Sequence, residues 1–144
     1  MDAVNYPAVV VHSLADARMA LAPGQPVTLL SGEGAVLYAG CGWWQALVDA
    51  ARDEFPQVPT RDFLDCANAS GLALGALRIG LRHLIVNGDA PGRTRIAAIV
   101  AQLGGVLLNE RPPALDLRLP SHRHRLQEWV HLRTSPDDRR GTLR

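Results

Sequence analysis

Within the first 110 residues, five short apolar runs alternate with segments of helical character, and this alternation constrains the fold more than any other feature of the chain. The first run, Ala8-Val9-Val10-Val11-His12, is continuous and β-branched, the pattern of a strand covered on both faces. Ser13 follows as a helix N-cap with Asp16 in the first turn, and Pro23-Gly24 stops the helix after about Ala22. Residues 27–31 predict a second strand, broken by Gly32-Glu33-Gly34; residues 32–42 read as a loop with room for one helical turn. Trp44, Leu47, Val48, Ala51 and Phe55 recur at helical spacing over 43–55, before Pro56 and Pro59. A third strand is predicted at 61–66, a small-residue helix at 70–79, a fourth strand at 83–87, a helix at 91–103 and a fifth strand at 106–108.

Strands that alternate with helices need crossover connections, which makes their sheet parallel. The expected class is α/β, a three-layer sandwich with a mainly parallel five-stranded sheet, Rossmann-like or flavodoxin-like; a half barrel is the alternative. The α/β domain is expected over 1–111. Residues 112–144 are expected as a C-terminal extended arm, stiffened by Pro112, Pro113 and Pro120. It carries a short amphipathic helix at 121–133 and a disordered end at 134–144. To residue 110 there are seven arginines against ten acids; beyond it there are eight against four. A basic helix with one apolar stripe (Leu126, Trp129, Val130) needs a surface, and the acidic body of its own or a neighbouring subunit offers one. This predicts a homodimer through the arm.

All 15 basic residues are arginine, so the lysine-free chain has no Schiff-base or P-loop lysine. The first βα turn lacks the glycines of a dinucleotide site. Gly88-Asp89-Ala90-Pro91-Gly92 has three residues between its glycines where a phosphate loop needs four. No cofactor is therefore predicted. His124, Glu128 and His131 share a helical face, but a metal would need ligands from other helices, so no metal is predicted either. No helix-turn-helix or RNP-type aromatic pattern points to nucleic acid. Two cysteines, Cys41 and Cys66, rule out a disulfide scaffold and suit a reducing compartment. No apolar run approaches the roughly 20 residues of a membrane span. The first residues lack the basic start of a signal peptide, so the expected setting is cytoplasmic and away from membranes.

Open α/β sheets bind ligands beyond the carboxyl ends of their strands, at a topological switch point. Strand order 3-2-1-4-5 or 2-1-3-4-5 would put the first strand beside that point. His12 is then the candidate general base, with Asp65 or Asp89 as its acid. Ser13, Ser31, Gly32, Asn68 and Asn87 would line the edge, and Arg93 with Thr94 could hold a small anion at a helix start. The plainer reading is that every strand ends in polar loops and that His12 bonds a nearby carbonyl. Two functions follow: a non-catalytic binding or regulatory module that self-associates, or a small enzyme or enzyme-like ligand binder around His12. A crevice holding His12 within hydrogen-bond reach of a carboxylate would favour the second.

Overall fold

A computed structural model describes residues 6–134. Beyond residue 134, the end expected to be disordered lies outside them. The chain runs β1 (Ala8–Val10), α1 (Leu14–Leu21), β2 (Val27–Leu30), α2 (Ala35–Tyr38), α3 (Cys41–Glu54) and β3 (Thr60–Asp65). It continues with α4 (Ser70–Arg78), β4 (His83–Ile85), α5 (Arg93–Gln102), β5 (Val106–Leu108), β6 (Ala114–Asp116), α6 (Pro120–Arg123) and α7 (Leu126–Thr134). The class is α/β with a parallel sheet, as the alternation requires, but there are six strands rather than five. Their order is β5-β4-β3-β2-β1-β6, and every pair is parallel. Neither anticipated order occurs. The strands step one way from β1 to β5, and the chain then returns to place β6 on the other side of β1. The reversal therefore falls between β1 and β6, still beside the first strand.

Four successive crossovers step in one direction, and their helices neighbour one another on one face of the sheet. On that face Val9, Leu29, Leu64, Leu84 and Leu115 share one core with Leu21, Trp44, Leu77 and Val100. The other face carries a smaller cluster made of strand residues alone: Val10, Leu30, Phe63 and Ile85, with Val106, Leu108 and Ala114 against it. The first four are at most 5% exposed. Among the described residues, the hydrophobic side chains of this cluster all come from strands, and the return segment passes over them.

From Leu108 to Ala114 is six residue steps, a reach of about 21 Å at full extension. A flat sheet would put β5 and β6 five strand spacings apart, about 24 Å, before any offset along the strands. The sheet must therefore curl toward this face, with residues 109–113 as a strap across it. Pro112 and Pro113 suit the strap because proline brings no backbone N–H to satisfy over an apolar surface.

Residues expected as the C-terminal arm contribute the sixth strand and a helix to this body. β6 pairs with β1 in register Val9↔Leu115 and Val10↔Asp116. Leu126 and Val130 of α7 are buried in the main core, and the Trp129 indole N–H donates to the Ala8 carbonyl at 3.0 Å. The apolar stripe thus finds its surface on its own chain. Among the described residues, no helix is long and apolar enough to cross a membrane.

Candidate functional site

His12 leaves the carboxyl end of β1 held by the helix start that follows it. The Ser13 hydroxyl accepts from the Asp16 N–H at 3.1 Å, and Asp16 Oδ2 accepts from the His12 N–H at 2.9 Å. This reciprocal cap satisfies two backbone donors. It also gives the Ser13 hydroxyl a capping role at the start of α1.

Across the switch point, β6 alternates strictly. Leu115 and Leu117 enter the helix-side core, so Asp116 and Arg118 lie on the opposite face, level with Val10 and His12. His12 Nε2 lies 2.8 Å from Asp116 Oδ1, and Arg118 Nη2 lies 2.9 Å from His12 Nδ1. A guanidinium can only donate, so Nδ1 must be the acceptor and Nε2 must carry the proton. One arrangement satisfies all three groups: carboxylate, Nε2–H imidazole, guanidinium. Asp116 Oδ1 also accepts from the Arg118 backbone N–H at 2.9 Å. His122 Nδ1 accepts from the Asp116 N–H at 2.9 Å and braces the strand from α6. Burial pushes the Asp116 carboxyl up, but the Arg118 backbone N–H, the hydrogen bond from the His12 ring and the Arg118 charge outweigh it and hold it below its ordinary value.

These groups open on a cavity of about 440 Å³ lined by Val10, His12, Gly32, Glu33, Tyr38, Arg111, Asp116 and Arg118. Gly32 is there for closeness. A Cβ at this position would collide with the Tyr38 hydroxyl and sit 3.2 Å from His12 Cε1 and Nδ1. Arg111, on the strap, donates to Asp65 Oδ2 at 2.8 Å. Asp65 Oδ1 accepts from the Ala67 N–H, and the Ser31 hydroxyl accepts from the Asp65 N–H. Asp65 and Ser31 are therefore buried supports of the strap and the β2–β3 edge. The carboxylate bonded to His12 is Asp116, in place of the Asp65 or Asp89 expected from sequence.

The far end of the edge is different. Asn87 Nδ2 donates to Asn68 Oδ1 at 2.8 Å, and Arg93 Nε donates to the Val86 carbonyl at 2.9 Å. Asp89 and Thr94 are exposed and lie outside the cavity lining. The anion loop expected around Arg93 thus has its arginine turned back onto the sheet. Cys66 is buried, and burial, the Asp65 charge and Cys41 push its thiol up to about 12, which suits packing rather than redox work. Among the described residues no three His, Cys, Asp or Glu side chains gather as a metal site.

Four polar side chains of the lining escaped the sequence reading of the site: Asp116, Arg118, Arg111 and Tyr38. For the first two a signal was present, the two-residue alternation of Ala114-Leu115-Asp116-Leu117-Arg118-Leu119. Arg111 and Tyr38 carry no local signal, because their place depends on the strap's path and on where α2 docks. No protein-family model matches the chain, and no curated protein matches it either.

Proposed function

We propose that this protein is an enzyme-like binder of a small molecule, with its site at the carboxyl ends of β1, β2 and β6 and His12 as the proton-handling residue. The observation that supports this most is the 2.8 Å contact of His12 with Asp116 on the wall of a cavity at the switch point. A carboxylate that accepts from Nε2–H sets the tautomer and orientation of the ring and puts its lone pair on Nδ1, the atom that Arg118 approaches. The lining holds no serine, cysteine or threonine. Acyl transfer through such a nucleophile therefore has little support. Proton transfer to or from a bound substrate has more, with the Tyr38 hydroxyl, Glu33 and two arginines, Arg111 and Arg118, also within the lining.

The test is a small-molecule screen read on the imidazole signals of the five histidines. Binders are expected to move His12 and to lose affinity in His12→Asn. If the screen's binders move only the signals of residues 120–131, the site lies elsewhere and the reading fails.

A further inference from the structure

Arg118 is unlike the arginines that meet a carboxylate. Arg18 meets Glu54 and Arg52 meets Asp62, each at 2.7 Å, and Arg111 meets Asp65 at 2.8 Å. The Arg118 guanidinium instead rests on the neutral Nδ1 of His12, at the mouth of the cavity, and is exposed. A guanidinium bonds an oxyanion more strongly than a neutral nitrogen, and in a two-pronged way that one imidazole nitrogen cannot match. Arg111 supplies a second cation to the same lining. Asp116 already accepts from the His12 ring and the Arg118 backbone, which leaves Glu33 as the carboxylate facing the cavity without such a bond in this group.

Resting on the pocket reading above, we infer that the ligand carries one small oxyanionic group, a phosphate or a carboxylate, taken by Arg118, and hydrogen-bond donors rather than a second anion at the end facing Glu33. When the guanidinium turns to the anion it leaves Nδ1, so ligand capture and release of the His12 lone pair are one event. Arg118 on Nδ1 keeps the base capped; the ligand uncaps it. No bond is made or broken in this step beyond the exchange of one hydrogen-bond acceptor for another.

The experiment titrates inorganic phosphate, acetate and neutral acetamide into the full chain at low ionic strength, reading the His12 ring and Arg118 Nε signals by NMR. Wild type is compared with Arg118→Gln, whose exposed position leaves the fold intact, as the backbone spectrum will confirm. Phosphate or acetate is expected to move both signals, and Arg118→Gln to weaken that anion by about tenfold or more, the scale of one charge-assisted pair. Whichever anion binds more tightly identifies the headgroup. Equal anion affinity in wild type and Arg118→Gln overturns the inference. So does a His12 response to acetamide alone, which would leave the pocket reading standing. If nothing moves His12, in this titration or the wider screen, both fall.

Discussion

At the β6–β1–β2 end of the carboxyl edge, His12, Gly32 and Asp116 face a cavity; at the β3–β4–β5 end, Asn68 and Asn87 bond each other and Arg93 bonds the backbone. Both ends are built from the same material: short strands entering loops rich in Asn, Asp, Gly and Ser. What separates them is topology. The first end receives a returning strand whose exposed alternation, Asp116 and Arg118, meets groups from β1 and β2. At the second end the strap touches Asp65 through Arg111, while Asn68 and Asn87 satisfy each other and Arg93 bonds the backbone, so this end closes. A polar loop at a strand end becomes a site only where a second, independently routed segment arrives against it.

The two ends are joined by Asp65, and removing it should have the largest effect. Its side chain is 3% exposed and holds both the strap, through Arg111, and the Ala67 loop, through a backbone N–H. Breaking a buried pair from one side costs about 3–5 kcal/mol; Arg111, being 26% exposed, can regain water, which puts Asp65→Ala at about 2–3 kcal/mol. Urea unfolding measures it. A loss below about 1 kcal/mol would mean that strap and sheet are held independently and that the ends do not communicate.

The sequence showed one end of this comparison better than the other. Apolar runs without alternation revealed β1, β2 and β5, because such patterns report local burial. The Ser13 cap was legible for the same reason: its partner Asp16 is three residues away. Asp116 was not, since its partner His12 is 104 residues distant and three prolines in 112–120 drew attention to stiffness instead of to the Leu115/Leu117 alternation beside them. Strand order, which decides whether Asp65 or Asp116 reaches His12, is a long-range property that no short window contains.

Gly32 and Gly88 give a matched pair of substitutions, one at each end. A Cβ at Gly32 meets Tyr38 and His12; at Gly88 it meets the Asn109 side chain at ordinary contact distance, 3.9 Å. Gly32→Val should push Tyr38 out of the cavity and weaken phosphate or acetate binding by about tenfold. Gly88→Ala should leave it unchanged. If both substitutions weaken binding equally, the site spans the whole edge and the contrast between the ends disappears.

A smaller effect sharpens the electrostatics of the first end. Because the folded Asp116 carboxyl is held below its ordinary value, its contribution to stability is present above that ordinary value and is lost as pH falls through the lowered one. Wild type should therefore lose stability relative to Asp116→Asn between about pH 5 and pH 3, the range around an ordinary aspartate. Thermal melts of the two proteins across that range will check the direction. A constant difference at all pH values would mean that the carboxylate contributes packing and not charge.

The smallest effect belongs to the other end, at Ala67, whose φ of 50° lies in the left-handed region. Its N–H donates to Asp65 Oδ1 at 2.8 Å and its carbonyl accepts from the Asn87 N–H at 2.9 Å, so the loop is held on both sides of a conformation that alanine disfavours. The strain is about 1–2 kcal/mol, and glycine would remove most of it. Glycine also loosens the unfolded chain, a penalty of about 0.4–1 kcal/mol, so Ala67→Gly should stabilise by a net amount of about 0.5 kcal/mol. A shift of the urea midpoint upward, with no change in the His12 response to phosphate or acetate, would place this strain at the closed end alone. A changed His12 response would instead show that the Asn68–Asn87 end is coupled to the cavity through Asp65 and Arg111, and the two ends would have to be treated as one site.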